Sequence, residues 1–488
     1  MGNKILKILK KEGDSIQLLC FPDEDVEKGD YILIRDGTKE RALISQIIDV
    51  QYANIPGILE DLLRDGISES SLTGEDVDPF RVSSQLEVLK DTRLLIAKIR
   101  GAMQNNRISR DVSWLPSRIR AHVEVMSPNL LTRELSDKHA FELGSTRRSA
   151  VIASDLSALD GRLNIITGRK GTGKSHLSKL LVTTLVKHGA PVVVLDVNGE
   201  YVNLGRMNGS TEPSTKIVPL IPGVNLRFSL AEIGLSTFLG ILVHALSLPD
   251  NSSRVFARIW RQLEEQNSLT MDALRTAIAN FECHESIKDA LQARFNTLDD
   301  SGIFTNDRKV ALSLDEVFRK QGSGMALVIN MKNQPSTLRR ITVELFISKL
   351  TDLLSSHKLK GLFLFAEEAH LYLQETYWDD IVTRMRHLGL FATFITNQPD
   401  TIDGGIYRQA DNIFIFNFSN EHDLEIVSKV AKLDGETIRM IVRELPPQRC
   451  LAVGDLVGNF PMVINVRPLE VQTMGATRYF FQDEIAVA

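Results

Sequence analysis

A glycine-rich octapeptide in the second quarter of the chain has the residue types and spacing that phosphate binding requires. It consists of Gly168, Arg169, Lys170, Gly171, Thr172, Gly173, Lys174 and Ser175, and His176 follows it. Glycines let the backbone curl so that successive N–H groups point at phosphates, next to the positive end of the following helix. The lysine is expected to contact the β- and γ-phosphates, and the serine hydroxyl to ligate Mg²⁺. We favour this interpretation over a plain glycine turn and predict that residues 168–176 bind ATP.

A pair of acidic residues supplies the carboxylates that ATP hydrolysis needs. The run LFLFAEEAH spans residues 362–370, so four apolar residues lead into the two acids. We expect Glu367 to hold the Mg²⁺ shell, where Asp is more usual, and Glu368 to orient the attacking water as general base. The alternative is a buried strand followed by a helix N-terminus that favours acids.

Strands and helices alternate from about residue 150, as a parallel sheet covered on both faces requires. Such strands have continuous apolar runs rather than alternating ones. The predicted strands are 162–167, 192–196, 326–330, 362–365, 392–396 and 412–416. A helix is predicted to start near Lys174, and residues 228–320 form a largely helical insertion. The fold class is therefore α/β, with a RecA-like motor domain.

The N-terminal region has a different pattern. Residues 15–20, 31–35 and 42–48 are short apolar or alternating runs punctuated by Gly-Asp and Asp-Gly turn pairs, which is typical of a small β-barrel. Residues 56–110 have helical spacing, and a linker follows at 113–128. The predicted domains are 1–130, a barrel with a helical extension; 131–227, the first motor segment; 228–320, the insertion; 321–465, the second motor segment; and 466–488, a tail.

Composition is that of a globular protein, because 43% of the 488 residues are hydrophobic and 24% are charged. No apolar run approaches the ~18 to 20 residues that span a bilayer, and the first residues lack the apolar segment of a secretory signal. The chain has three cysteines, spaced far apart, which fits a reducing cytoplasm. We therefore expect a cytoplasmic protein without a membrane partner. The net charge of −5 neither indicates nor excludes nucleic-acid binding.

Together, these motifs resemble those of HerA-type ATPases, in the wider HerA–FtsK group of hexameric DNA pumps. Two further segments occur in the family's order, DVNGEY at 196–201 and TNQP at 396–399. The predicted barrel is similar to the family's N-terminal barrel domain. The resemblance covers roughly residues 1–50 and 150–465.

The resemblance implies roles for three more residues. Arg162 matches an arginine that reaches a neighbouring subunit's nucleotide, as an arginine finger does. Arg386 precedes Gly389 by three residues, as a second family arginine does, and Gln398 corresponds to the residue that senses the γ-phosphate. The alternatives are a strand-edge charge for Arg162 and a solvated helix face for Arg386.

Other polar residues have no single interpretation. The acid Asp196 either contacts the Mg²⁺ shell or caps a helix. His370 has no nucleophile to pair with, so a packing or signalling role beside Glu368 is favoured. Three arginines at positions 254, 258 and 261 share one helix face; we favour a solvated face with salt bridges over a DNA path.

As to function, the resemblance implies a homo-hexameric ring that hydrolyses ATP with Mg²⁺ and moves double-stranded DNA through its pore. Family members pair with nucleases such as NurA, or with effector enzymes in anti-phage defence, so a partner of either kind is expected. Two other classes stay open. One is a ring-shaped scaffold that activates a partner effector, and the other is a protein-secretion ATPase.

Overall fold

The protein's structure, a computed structural model, describes residues 6–22, 24–37, 40–53, 91–105, 107–110, 112–127, 130–131, 138–205, 216–321, 324–371, 386–431 and 433–471. Most of the predicted helical extension, and residues 472–488 of the predicted tail at 466–488, lie outside these residues.

Seven antiparallel strands form the described part of the N-terminal region. They are β1 (Leu6–Glu12), β2 (Ser15–Cys20), β3 (Tyr31–Arg35), β4 (Arg41–Tyr52), β5 (Arg93–Gln104), β6 (Arg107–Ser109) and β7 (His122–Met126). Their order is β1-β2-β5-β4-β3-β7, and β6 pairs with β5. β1 and β7 contact each other, but within the described residues no ladder joins them. The closed barrel remains a prediction.

The helical interpretation of residues 56–110 is wrong for β5 and β6. β5 pairs with β2 and β4 and has buried positions on both of its faces. A strand buried on both faces has no clean alternation of apolar and polar residues, so its spacing resembles that of a helix.

The motor domain contains an eleven-stranded sheet. Its strands are β8 (Ala140–Ser145), β9 (Val151–Asp155), β10 (Asn164–Thr167), β11 (Pro191–Asp196), β12 (Ile217–Leu220), β13 (Met325–Asn330), β14 (Leu362–Ala366), β15 (Leu390–Thr396), β16 (Asn412–Ile415), β17 (Arg449–Gly454) and β18 (Met462–Val466). The order is β12-β13-β11-β14-β15-β10-β16-β17-β18-β8-β9. The strands from β12 to β16 are parallel, and they include all six predicted strands. The antiparallel remainder, β17-β18-β8-β9, was not predicted.

Helices cover the faces of this sheet and occupy the region of the predicted insertion. They are α1 (Lys174–Lys187), α2 (Leu230–Gly240), α3 (Asp250–Glu265), α4 (Met271–Asn280), α5 (Glu285–Asp300), α6 (Leu314–Gln321), α7 (Ser336–Ser355), α8 (Gly404–Arg408), α9 (Glu421–Val430) and α10 (Gly435–Val442). Within the described ranges, no helix combines the length and the apolar character that crossing a membrane requires.

An aromatic cluster forms the core of the insertion. Phe238 of α2 stacks on Phe256 of α3 with ring centroids 5.4 Å apart, and Trp260 lies 5.2 Å from Phe238. Because aromatic side chains bury a large area and pair with defined geometry, this cluster stabilises the packing of α2 on α3 within the insertion.

Polar contacts fix the N-terminal sheet to the motor domain. The Tyr31 hydroxyl and the Gln46 amide both donate to the carbonyl of Pro461 at 2.8 Å. Arg100 reaches Asp434 at 3.0 Å and Thr437 at 2.7 Å, before and within α10. The two regions therefore share a built interface.

Candidate ATP-binding and hydrolysis site

The parallel strands bring the predicted nucleotide-binding motifs to one edge of the sheet. The octapeptide follows β10, the DVNGEY segment begins at the end of β11, and Glu367 and Gln398 follow β14 and β15. Because neighbouring parallel strands end at the same edge, these segments face a common crevice outside the carboxyl ends of the strands. Ligands of open α/β sheets bind in such crevices.

The glycine loop has the backbone conformation that its sequence predicts. Gly168, Gly171 and Gly173 have φ values of 153°, 79° and 117°. The backbone of Gly168 also passes so close to Phe416 that a Cβ there would lie 2.5 Å from the Phe416 Cβ. Glycine is therefore required at Gly168 for space as well as for conformation.

The loop encloses its own lysine. Lys174 is 9% exposed, and its ammonium donates to the carbonyls of Gly168 at 2.7 Å and Arg169 at 3.0 Å. Burial lowers the pKa of Lys174, while the carboxylates of Glu368 and Glu367 act in the opposite direction. A cation in this position is ready to exchange carbonyl partners for phosphate oxygens.

The other side chains of the octapeptide differ in placement. Thr172 is buried and donates to the carbonyl of Arg169 at 2.6 Å, which tightens the loop. Arg169 and Lys170 are exposed, and Ser175 is half-buried at the start of α1. The ring of His176 lies 2.8 Å from the carbonyl of Arg467, so this side chain contacts the C-terminal segment.

The two acids after β14 have different environments. Glu367 is 2% exposed and hydrogen-bonds the hydroxyl of Tyr201, and burial raises its pKa to about 7. Glu368 has a φ of 48°, which is uncommon for a residue with a side chain. Such a conformation is retained where the surrounding structure enforces it, often at functional sites.

Buried polar atoms without hydrogen-bond partners occur near Glu368. Within the described residues, one carboxylate oxygen of Glu368 and the side-chain oxygen of Asn397 are of this kind. The same Glu368 oxygen lies 3.4 Å from Nδ1 of His370, which is also 3.3 Å from the Thr396 hydroxyl. Since buried polar groups in proteins are nearly always paired, these atoms indicate a site built for a polar ligand.

Asp196 does not cap a helix within the described residues, and its contact with the Mg²⁺ shell stays a prediction. Its carboxylate accepts backbone N–H groups from Gly199 at 2.8 Å, Glu200 at 3.0 Å and Tyr201 at 2.9 Å. No helix begins there, because residues 197–205 are turns and bends. Asp196 therefore organises the loop that presents Tyr201.

Arg162 and Arg386 lie at the opposite edge of the sheet. They precede β10 and β15, and the four residues of β10 alone separate the two edges by about 13 Å. Arg386 donates to both carboxylate oxygens of Asp411, at 2.9 and 2.7 Å. Arg162 lies 3.8 Å from Asp411 and 2.7 Å from Asp455. The structure thus brings the two arginines together and places them away from their own glycine loop.

Gln398 and the arginine face of α3 are exposed. The Gln398 side chain lies at the carboxyl edge, and its backbone N–H donates to the Thr396 hydroxyl at 3.0 Å. Arg254, Arg258 and Arg261 share an exposed face of α3, and none of them forms an ion pair with another described residue. The predicted salt bridges are therefore absent from that part of the chain which the structure describes.

The sequence analysis did not identify Tyr201, Ser178, Asp411 or Asp455 as site residues. Tyr201 is the last residue of DVNGEY, so its presence in that segment is a usable signal. Asp411 precedes an apolar strand, as Arg162 does, but their pairing joins positions 249 apart in the chain (411 minus 162). Pairs this distant are not visible in local patterns.

The carboxyl edge fits ATP with Mg²⁺. Magnesium bound with a nucleotide takes most of its ligands from phosphates and water and one or two from the protein. The Ser175 hydroxyl and a single buried carboxylate match that small set. Among the described residues, no group of three or more His, Cys, Asp or Glu side chains could hold a metal ion. Fold and site together define a RecA-like P-loop ATPase.

Comparison with known proteins shows which ATPases this chain resembles. Residues 142–351 match the family model described as Helicase HerA, central domain. The curated DNA double-strand break repair helicase HerA of Sulfolobus acidocaldarius is 21% identical, over 93% of this chain and 91% of that protein. The predicted resemblance to HerA-type ATPases is confirmed, and the chain is an ATP-hydrolysing enzyme.

Solved structures support the fold assignment. The bacterial conjugative coupling protein TrwBdeltaN70 has a TM-score of 0.51 at 16% identity, covering 70% of this chain and 92% of its own. VirB4 of Thermoanaerobacter pseudethanolicus also has a TM-score of 0.51, at 14% identity, covering 69% of this chain and 99% of its own. At these identities the likeness establishes the shared motor fold.

Proposed function

We propose that the chain is an ATP-driven DNA translocase of the helicase type that acts as a homo-hexameric ring. The observation that carries this proposal is the separation of Lys174 and Glu368 from Arg162 and Arg386 on opposite edges of one sheet. An arginine at the amino edge cannot reach the nucleotide of its own subunit. It can complete the site of a neighbour whose carboxyl edge faces it, and a closed ring provides such a neighbour for every subunit.

Each predicted site residue has a role in this proposal. Lys174 and the loop N–H groups bind the phosphates, and Glu368 accepts a proton from the attacking water. Gln398, exposed at the same edge, senses the γ-phosphate. Arg162 and Arg386 of the adjacent subunit stabilise the charge that develops on the transferred phosphoryl group.

Ser175 and Glu367 would hold the magnesium ion. The ion neutralises charge on the β- and γ-phosphate oxygens when it is bound. The half-buried Ser175 hydroxyl and the buried Glu367 carboxylate approach the crevice from different elements, α1 and β14. A hydroxyl and a carboxylate are hard oxygen donors, which magnesium prefers.

The substrate of movement is double-stranded DNA in the pore of the ring. Support comes from the curated relative, which is named a DNA double-strand break repair helicase. A translocase must ignore sequence, so its contacts go mainly to backbone phosphates. We further propose that a partner enzyme bound to the ring, a NurA-like nuclease or a defence effector, performs the chemistry on the DNA or on a cellular target.

A protein-secretion ATPase or a scaffold is the second candidate. The likeness in fold to VirB4 and to a conjugative coupling protein supports this second candidate, since those proteins share the fold of this chain. The two candidates differ in their response to DNA. A DNA translocase is stimulated by DNA of any sequence, whereas a secretion motor or a scaffold is not.

The test is ATP hydrolysis measured with and without duplex DNA at increasing salt, on rings whose mass is determined by native mass spectrometry. We expect hexamers, stimulation by unrelated duplexes to the same extent, and affinity that falls by about three orders of magnitude from 50 to 200 mM salt. Lys174→Ala is the control for contaminating ATPases. Hydrolysis indifferent to DNA would refute translocation.

A further inference from the structure

Tyr201 joins three elements of the nucleotide site. The residue ends the loop after β11, and its side chain is fully buried. Its hydroxyl lies 2.8 Å from Ser178 Oγ on α1 and hydrogen-bonds a carboxylate oxygen of Glu367 at the end of β14. α1 begins with Lys174, so one phenol connects the phosphate-binding helix to the metal-side acid.

The direction of these two hydrogen bonds follows from proton counting. A phenol has one proton, and an ionised carboxylate only accepts. When Glu367 is ionised, Tyr201 therefore donates to Glu367 and accepts from the Ser178 hydroxyl. A hydrogen bond to an ionised acceptor is roughly twice as strong as one between neutral groups, so it holds the carboxylate in one orientation.

Further contacts fix the position of Tyr201. The Tyr201 backbone N–H donates to Asp196 at 2.9 Å, which fixes the end of the loop. The Lys179 ammonium lies 5.5 Å from the centre of the Tyr201 ring and also binds Glu200 at 2.9 Å. A side chain locked by packing and by hydrogen bonds can orient another group precisely.

A glutamate at this position needs such an anchor more than an aspartate does. The side chain of Glu367 has one more rotatable bond than Asp, and fixing a longer side chain costs more conformational entropy. Because Tyr201 engages one oxygen of the Glu367 carboxylate, that additional freedom is removed before nucleotide binds. The conformational entropy of the Glu367 side chain is then lost during folding and not when nucleotide binds.

We propose that Tyr201 is a positioning residue that orients the Glu367 carboxylate for the Mg²⁺ of the bound nucleotide. The inference rests on the proposed function, which gives Glu367 its role towards the metal. Tyr201 acts through Glu367, and Ser178 supports it from α1. Groups that orient a metal ligand commonly contribute ten- to hundred-fold to metal affinity or activity.

The primary experiment replaces Tyr201 by Phe, which removes the hydroxyl and retains the ring. Binding of Mn²⁺ to the full chain in the presence of a non-hydrolysable ATP analogue is measured by electron paramagnetic resonance. We expect Tyr201→Phe to weaken Mn²⁺ binding roughly ten-fold. Affinity for the analogue without metal should be unchanged, because Lys174 and the loop are intact.

A double-mutant cycle separates positioning from general destabilisation. The carboxylate of Glu367→Asp is one methylene shorter and no longer reaches the Tyr201 hydroxyl, so Tyr201→Phe should add nothing in that background. The matched control is Tyr31→Phe, which also removes a buried phenol hydrogen bond, the one to the carbonyl of Pro461, but in the N-terminal sheet. Its Mn²⁺ affinity should equal that of the parent.

Each outcome decides a different claim. Parental Mn²⁺ affinity in Tyr201→Phe, or equal losses in both backgrounds, would overturn the positioning role. If Tyr201→Phe does not fold, Ser178→Ala decides, with a smaller loss of Mn²⁺ affinity expected and no loss contradicting the inference. Parental affinity in Glu367→Ala would instead refute the metal assignment in the proposed function.

Discussion

At the carboxyl edge of the large sheet, Lys174 and Glu367 are almost fully buried, and their hydrogen-bond partners belong to the same edge. At the amino edge, the side chains of Arg162 and Arg386 are 34% and 50% exposed and pair with acids of their own chain, Arg162 mainly with Asp455 and Arg386 with Asp411. Exposed ion pairs contribute little to stability and are easily exchanged, whereas buried side chains held by hydrogen bonds keep a fixed geometry. The difference separates a buried phosphate site from exposed arginines, which the proposed function assigns to the nucleotide of a neighbouring subunit.

The largest expected effects are at the carboxyl edge. Lys174→Ala should weaken nucleotide binding as well as turnover, because it removes a direct phosphate contact. Glu368→Gln should retain ATP while hydrolysis falls at least a hundred-fold, because only proton acceptance is lost. Equilibrium binding of a fluorescent ATP analogue and steady-state hydrolysis distinguish the two variants. Hydrolysis at the parental rate in Glu368→Gln would contradict the assignment of Glu368 as general base.

The motifs of the carboxyl edge were largely predictable from the sequence, whereas the antiparallel strands and the contacts between distant residues were not. The glycine loop and the paired acids are contiguous in sequence, and the parallel strands are continuous apolar runs, so local patterns reveal them. By contrast, β8 (AFELGS) and β9 (VIASD) mix small, polar and apolar residues. Their strand character depends on pairing with β18 and with each other. The contact between Tyr201 and Glu367 likewise arises only in the folded chain.

Weakening the ion pairs at the amino edge should lower kcat less than the substitutions at the carboxyl edge do. Asp411 fixes Arg386 and also accepts the backbone N–H of Leu163 at the start of the β10 segment. Asp411→Asn retains an acceptor for Leu163 and loses the charge that orients the arginines. We expect kcat to fall about ten-fold, well short of the roughly thousand-fold cost of removing a catalytic arginine.

Nucleotide affinity, measured for the same Asp411→Asn variant, tests whether the two edges of the sheet act separately. Asp411→Asn should bind the ATP analogue as the parent does, because the carboxyl edge is untouched. Asp455→Asn is the matched variant, because it removes the ion pair with Arg162 and retains an acceptor for the Asn459 side chain. Weakened nucleotide binding in either variant would contradict the separation of the two edges.

The smallest effect is a dependence of stability on pH. Burial raises the pKa of Glu367 from 4.5 to about 7, so the folded state holds a proton that the unfolded state releases between these values. In metal-free protein, the stabilisation of the folded state by this proton is fully present below about pH 4.5 and is lost as the pH rises through 7. The loss is a few kcal/mol at most, because one pKa unit corresponds to about 1.4 kcal/mol. Denaturant unfolding with and without Glu367→Gln measures it. An identical pH profile in the two proteins would contradict the buried, protonated state.

The central claim is that Arg162 acts on the nucleotide of the next subunit, and mixed rings test it most directly. Arg162→Ala and Lys174→Ala subunits, each inactive alone, are co-expressed, and mixed rings are verified by mass. Some interfaces then join an intact glycine loop to an intact arginine of the neighbour. We expect mixed rings to recover part of the parental ATP hydrolysis. Mixed rings that remain as inactive as either parent would contradict the central claim.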